Sequence, residues 1–340
     1  MVQIRTNPNR QTGKKARHSA SNTARRANAR VHRSASNGFE ETGNRNQESV
    51  VTKTIERSFL VGLIGSGIGG SLSPAMHEEE ARHLGLKYVY RRIDLEVLRR
   101  GPSALSELLS AAESMGFDGV NVTYPCKQAV IELLDELSAD AQALGAVNTV
   151  QFKEGRRVGH NTDWSGFRRA FERGLPGASM ERVVQLGAGG AGAAVAHAAM
   201  TMGARELALV DVDPTRARTL AAELQARFPD ARVSAIDGAP AMLGDALAAA
   251  DGLIHATPTG MAKHPGMPLQ RELLHPRLWV ADVVYFPIKT ELLKAAEALG
   301  CRTLTGGGMA VYQAVEAFEI FTGIAPNAER MFEHFQTLLS

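Results

Sequence analysis

Short apolar runs alternate with amphipathic stretches along most of this chain, and the alternation predicts strands and helices in turn. Residues 59–65 (FLVGLIG) read as a buried strand. Ser73 followed by Pro74 has the pattern of an N-cap and a first-turn proline, so a helix is predicted from Pro74 to about residue 84. Residues 88–95 and 120–123 read as further strands, and residues 103–115 as a helix with Leu105, Leu108 and Leu109 on its apolar side. Residues 127–137 and 139–144 are predicted to be helical, and the apolar pair Ala146–Val147 to belong to another buried strand. Strands separated by helices predict a layer of parallel type.

From Arg182 the pattern returns with a sharper signature. VVQLGAGGAGAAVAHAAMTMGARELALVDVDP reads as a strand, a glycine-rich turn, a helix and a second strand ending in an acid. Gly187, Gly189 and Gly192 fill the G-x-G-x-x-G positions, and Asp211 closes the second strand. Strand, helix and acid all fall where a dinucleotide-binding βαβ unit needs them. Glycines let the backbone approach a pyrophosphate at a helix N-terminus, and the acid accepts hydrogen bonds from ribose hydroxyls while repelling a 2′-phosphate. That favours NAD over NADP. Residues 233–236, 252–256 and 279–284 read as further strands with helices between them, and residues 292–299 as a helix. The loops ATPTGM and YFPIKT then lie at the carboxyl ends of the sheet, the ligand edge of an open α/β fold. Gly306–Gly308 is expected to break the chain before a last helix over about 309–321, with Gln313 one turn in.

The fold class is therefore α/β. The expected organisation is a basic extension (1–54), an αβ substrate domain (55–165) closed by C-terminal helices (309–340), and a Rossmann domain with a doubly wound parallel sheet (166–308).

Composition narrows the function. A chain of 340 residues, 44% hydrophobic and 22% charged, is ordinary for a globular enzyme. No apolar run is long enough to span a bilayer. Its two cysteines, Cys126 and Cys301, lack metal-ligand spacing, which fits a reducing cytoplasm and argues against a disulfide framework or a zinc site. The net charge of +2 is unevenly spread: residues 1–50 hold ten Lys or Arg against three Asp or Glu, so the remainder is net acidic. That first segment is rich in Arg, Ser and Asn and poor in apolar residues, and reads as disordered. A solvated tail, or residues ahead of a later start, is the expected reading; the segment resembles a transit peptide but lacks its amphipathic period, and its charge alone suits nucleic acid or an anionic surface.

The candidate chemistry clusters between Asp118 and Asp163. Extended segments there break into polar groups: Thr123 with Lys127, Asn148 with Thr149, then Asn161, Thr162 and Asp163. A lysine and an aspartate delivered from two such ends can form a proton-transfer pair, although the same spacing fits a surface ion pair. Ser71 and Ser73, at a helix N-terminus, suit an anion such as a carboxylate, although Ser73 alone reads equally as a cap. Cys126 beside Lys127 has no histidine in a nucleophile's arrangement. His255, at the end of a buried strand, reads as a structural histidine.

Taken together, Ser71-Leu72-Ser73-Pro74, Asn121 through Lys127 (NVTYPCK), Ala146-Val147-Asn148-Thr149, Asn161-Thr162-Asp163 with Gly166-Phe167, the glycine turn, Thr257-Pro258 with Gly260-Met261, and Gln313-Ala314 resemble the shikimate dehydrogenase family over residues 59–335. Within it the chain is similar to the bacterial NAD-dependent quinate/shikimate dehydrogenases. Asp211-Val212-Asp213 stands where NADP-dependent members carry an Asn-Arg-Thr turn. The resemblance implies oxidation of quinate or shikimate at the C3 hydroxyl, with Lys127 and Asp163 as the catalytic pair. It also implies substrate binding by Ser71, Ser73, Thr123, Lys127, Asn148, Asp163, Tyr285 and Gln313. The cofactor, NAD rather than NADP, falls to Gly187, Ala188, Gly189, Gly190, Ala191, Gly192, Asp211, Thr257, Pro258 and Gly308. A lysine serves as a base at neutral pH only where desolvation or cofactor charge lowers its proton affinity. His255 departs from the family's usual Asn-Ala-Thr-Pro, and the basic extension lies outside the pattern. The expected partners are small molecules, with no membrane and no nucleic acid, in a cytoplasmic monomer or homodimer. A biosynthetic NADP-dependent enzyme and a nucleotide-sensing binding protein are the alternatives. Hinges are expected near Gly166 and at Gly306–Gly308.

Overall fold

The computed structural model describes residues 57–339, so the basic extension expected over 1–54 lies outside the described residues. The first half contributes β1 (Ser58–Gly65), α1 (Ser73–His83), β2 (Lys87–Asp94), α2 (Leu105–Ser114), β3 (Gly119–Val122), β4 (Glu136–Leu137), α3 (Ala139–Leu144), β5 (Thr149–Lys153), β6 (Arg156–His160) and α4 (Asp163–Gly174). Its six strands form one sheet in the order β2-β1-β3-β5-β6-β4. Two expectations fail here. The layer is mixed rather than parallel, because β5 runs antiparallel to both β3 and β6. The second pairing has a local cause: Glu154 and Gly155 both have positive φ, the geometry of a two-residue hairpin turn that folds β6 back on β5. The segment 127–137 is also not a helix. It holds turns, a short 3₁₀ stretch (Ile131–Leu133) and β4, which pairs with β6 at Glu136↔Val158. Its apolar side chains fit a helical period, yet pairing with β6 and burial of Cys126 and Val130 decide the outcome. Ala146 and Val147 are buried but lie in the loop before β5.

The second half follows with β7 (Arg182–Leu186), α5 (Gly190–Thr201), β8 (Glu206–Val210), α6 (Pro214–Arg227), β9 (Arg232–Ala235), α7 (Pro240–Ala248), β10 (Gly252–His255), β11 (Trp279–Asp282), α8 (Glu291–Ala298) and β12 (Arg302–Leu304). All six strands are parallel, in the order β9-β8-β7-β10-β11-β12. That is the doubly wound order 3-2-1-4-5-6, with its switch point between β7 and β10. The strands read as continuous apolar runs because both faces are covered. One face packs Val183, Leu207, Leu209, Ile254 and Ala281 under α4, α5 and α6, and the other packs Val184, Leu253 and Val280 under α7 and α8.

The chain then returns to the first half. α9 (Gly307–Thr322) and α10 (Ala328–Leu339) pack with α1, and α9 also leans on β1, β5 and α4. The expected glycine break reduces to Gly306, because Gly307 and Gly308 are already helical. The buried Glu80 carboxylate accepts hydrogen bonds from the Asn327 backbone N–H at 2.7 Å and from the Arg330 guanidinium, fixing α10 against α1. With Glu80 fully buried, removing Arg330 leaves a charge with little compensation, a loss of roughly 3–5 kcal/mol in comparable settings. Where α4 crosses α9, a side chain on Gly166 would meet the Gln313 backbone nitrogen at 2.9 Å, so only glycine permits the approach.

Candidate functional site

The antiparallel turn of β5 is what gathers the polar clusters. Register sets Asn121 of β3 opposite Thr149 at the start of β5, and Thr149 opposite His160 at the end of β6. Asn148 and Thr149 therefore open a strand instead of closing one. They still reach the same sheet edge as Thr123 and Asn161–Asp163. Asn148 accepts a hydrogen bond from the Thr162 backbone N–H at 2.8 Å and donates to the Thr162 hydroxyl at 3.0 Å. Asn121 donates to the Thr149 hydroxyl at 2.9 Å and accepts from the Tyr90 hydroxyl at 2.6 Å. Asn161 donates to the Ala146 carbonyl, and its side-chain oxygen receives the Asp163 N–H. A buried network satisfied to this degree holds its members in one arrangement.

This network delivers Asp163 at the first residue of α4, where the helix dipole favours a carboxylate. Lys127 comes from the loop after β3, its carbonyl tied to the Val147 N–H at 2.9 Å. The Lys127 Nζ donates to Asp163 Oδ2 at 2.5 Å, with the lysine side chain 20% exposed and the aspartate 3%. The pair is thus a largely buried ion pair and not a solvated surface bridge. Cys126, beside it, is buried, and burial pushes its thiol up, the reverse of what activates a nucleophile.

The glycine turn lies next to this pair. Gly187 has φ +99°, and a Cβ there would meet the Ala256 carbonyl oxygen at 2.5 Å. A Cβ on Gly192 would meet the Gly187 oxygen at 2.3 Å. Those two glycines seat the turn on β10 and on α5. Gly189 has nothing within 4 Å of its Cβ position, and Gly190 has only the Lys127 Cδ at 4.0 Å. The turn therefore presents open backbone at the start of α5, a cradle that suits a dinucleotide's phosphates, directly beside the lysine stem. Ala188 belongs to the same turn, and Ala191 to the first turn of α5. Asp211 receives the Ala188 N–H at 2.7 Å and the Asp213 N–H at 2.9 Å, which orients its carboxylate at the end of β8.

At the other end of the site, the loop after β1 leads into α1. Sequence reasoning allowed Ser73 to be spent as a cap; the structure makes it the first helical residue, with Leu72 at the cap position and no side-chain capping bond. The Ser73 hydroxyl has no hydrogen-bond partner among the described residues, and the Ser71 hydroxyl receives only the Ser73 N–H, at 3.4 Å. Tyr285, from the loop after β11, and Leu72, which precedes Ser73, both pack against the one apolar cluster that joins Met76 of α1 to Ala310 and Ala314 of α9. Burial raises the Tyr285 phenol's pKa, keeping it an O–H donor. Thr123 abuts β1: a Cβ on Gly65 would meet its Cγ2 at 2.3 Å. Gln313 sits on α9 at the Gly166 crossing, half-buried. Thr257 and Pro258 lie in the loop after β10. Gly308, grouped with the cofactor residues on resemblance, approaches α4, where a Cβ would meet Ala170 at 2.8 Å.

His255 is fully buried, with both ring nitrogens hydrogen-bonded. Sequence reasoning overlooked Gln185, whose buried side chain donates to the Gly187 and Gly192 carbonyls at 2.8 and 2.9 Å and underpins the turn. A lone amide inside the apolar run VVQL was its signal.

Residues 63–150 match the shikimate dehydrogenase substrate binding domain, and residues 306–331 match the shikimate 5′-dehydrogenase C-terminal domain. A shikimate dehydrogenase (NADP(+)) from Streptomyces avermitilis is 61% identical over 81% of this chain and 94% of its own length. A quinate/shikimate dehydrogenase (NAD(+)) from Corynebacterium efficiens is 52% identical over 83% of this chain and 99% of its own. Among solved structures, the quinate dehydrogenase of Corynebacterium glutamicum in complex with NAD superposes with a TM-score of 0.77 at 48% identity, covering 83% of this chain and all of that one.

Proposed function

The chain belongs to the shikimate dehydrogenase family, and on that premise we propose that it catalyses reversible hydride transfer between a nicotinamide cofactor, NAD in preference to NADP, and C3 of quinate or shikimate, forming 3-dehydroquinate or 3-dehydroshikimate. The observation that carries this reading is the Lys127–Asp163 contact set against the open backbone at Gly190.

When bound, the nicotinamide ring supplies the hydride acceptor. The chain's own groups do the rest. Lys127 takes the proton of the C3 hydroxyl as the hydride departs, so the alcohol loses one hydride and one proton and becomes a ketone. Asp163 holds the lysine in place and accepts from a neighbouring ring hydroxyl. Ser71, Ser73 and Tyr285 donate to the substrate carboxylate, and Thr123, Asn148 and Gln313 bind ring hydroxyls. A cyclic polyol acid needs this division, with donors for an anion at one end and mixed donors and acceptors at the other. The substrate part faces the cofactor part, and closure about Gly306, the one residue of the expected glycine break that stays outside a helix, would exclude water.

Preference for NAD rests on Asp211. Two backbone N–H groups fix its carboxylate, and a fixed negative charge at the adenosine ribose disfavours a 2′-phosphate. The Streptomyces relative named for NADP(+) favours a second reading, a biosynthetic NADP-dependent shikimate dehydrogenase.

Initial rates with quinate and with shikimate, each with NAD and with NADP, separate the two. Oxidation with NAD supports the first reading and shows which acid is preferred. Turnover confined to shikimate with NADP supports the second. No turnover in any combination sinks both and leaves a nucleotide-sensing binding protein.

A further inference from the structure

At the ends of β10 and β11 a chain of hydrogen bonds runs from Thr257, which the resemblance groups with the cofactor residues, into the buried side chains of His255, Asp282 and Thr290, which the proposed reaction does not use. Asp282 Oδ1 stands 2.9 Å from His255 Nδ1 and accepts the Val284 N–H at 2.9 Å. Asp282 Oδ2 accepts the Thr290 hydroxyl at 2.7 Å, and the Thr290 oxygen in turn caps α8 by accepting the Leu293 N–H at 3.3 Å. On the other side His255 Nε2 lies 2.5 Å from the Thr257 hydroxyl oxygen, which also accepts the Thr259 N–H at 3.2 Å. His255 and Asp282 are wholly inaccessible.

Donor and acceptor roles follow from chemistry. A carboxylate oxygen only accepts, so His255 Nδ1 carries the hydrogen toward Asp282. In the neutral imidazole the Nε2 lone pair then accepts the Thr257 hydroxyl hydrogen, while the Thr257 oxygen accepts from Thr259. The chain thus has one direction, from Thr257 through His255 to Asp282, and every member is satisfied.

Its two ends serve different loops. The Thr257 end fixes the loop after β10, which also supplies the carbonyl of Ala256 packed over Gly187 at the glycine turn. The Asp282 end fixes the loop after β11, in which Tyr285 packs against the apolar cluster that holds Met76 of α1. The loops also run close together, since a Cβ on Gly260 would lie 3.3 Å from Thr290. We infer that Thr257, His255, Asp282 and Thr290 are positioning residues that hold the nucleotide-facing and carboxylate-facing loops in mutual register. This rests on the reading that those loops face a nicotinamide cofactor and a carboxylate substrate.

The test uses the full chain and measures NADH and NADPH dissociation constants by fluorescence titration without substrate, KM for the acid, and melting temperature. His255→Phe keeps bulk but breaks both hydrogen bonds, and Thr257→Val breaks one. Each should weaken binding of the preferred reduced cofactor about tenfold, the size of one net hydrogen bond, and the double variant no further than either alone. His255→Gln, which retains a donor and an acceptor, should recover part of the loss. Thr290→Val should raise KM for the acid and leave cofactor binding unchanged. A His255→Phe protein that melts lower but binds cofactor like the wild type overturns the inference, as do fully additive losses. A wild type that binds neither cofactor overturns it together with the reading beneath it. A wild type that binds but never turns over overturns that reading alone, and the binding comparison still decides this one.

Discussion

At the glycine turn, the groups suited to hold a nucleotide are backbone atoms within a few residues of one another, shaped by Gly187, Gly189 and Gly192. The Lys127–Asp163 pair spans 36 residues and exists only because three strands, one of them reversed, bring their polar ends to one edge. One surface is written locally and the other is assembled at long range. The local surface tolerates change where its backbone faces open space and fails where it packs. The assembled surface depends on a buried network with no spare partners, so damage there should fall on chemistry.

The strongest break in that comparison is Asp163→Asn. It keeps an acceptor near Lys127 but removes the charge, and should lower kcat by about 10²- to 10⁴-fold while leaving NADH affinity within a few-fold. Steady-state kinetics with a parallel NADH titration reads both. Next, Gly187→Ala should cost about 1–3 kcal/mol in thermal unfolding, because it adds a Cβ at positive φ against the Ala256 carbonyl. Gly189→Ala, with open space around its Cβ, should unfold like the wild type and weaken cofactor binding instead. Equal melting losses in the two variants would erase the distinction between packed and open glycines. A smaller effect is expected from Asp211→Ser, which should shift the NAD-to-NADP preference about tenfold toward NADP, or roughly 1.4 kcal/mol.

The mildest test concerns acid stability. His77, on α1, is fully buried beside Tyr88, and burial lowers its pKa from 6.5 to about 3. Between those values the unfolded chain binds a proton that the folded chain refuses. The stability present above pH 6.5 is therefore lost progressively as the pH falls toward 3. His77→Gln should flatten that acid limb in melting curves taken across the interval, with little change in turnover at neutral pH.

Much of this was legible in the residues. The doubly wound sheet followed from apolar strands, glycine spacing and a terminal acid, all of which act over short range. The helix predicted over 127–137 was lost to pairing between Glu136 and Val158, a contact that no local pattern encodes. The antiparallel pairing of β5 with β6 was signalled by Glu154-Gly155, a turn pair in which Glu stands where Asn or Asp is usual. The reversal of β5 against β3, by contrast, follows a long connection that no local pattern encodes. Ser73 looked like a cap because Pro74 follows it, yet the helix starts one residue earlier and leaves its hydroxyl unused. The partnership of His255 with Asp282 depends on neighbouring parallel strands in register, and the sequence alone gives no such register.

The central claim is that Lys127 moves the proton while the adjoining turn holds the cofactor. Its most direct test is Lys127→Met, which keeps the apolar stem beside Gly190 and removes the amine. NADH affinity and the rate of acid oxidation would be measured on the same preparation. The account predicts an NADH dissociation constant within a few-fold of the wild type and an oxidation rate lower by about 10²- to 10⁴-fold. A variant that oxidises quinate or shikimate at close to the wild-type rate would contradict it.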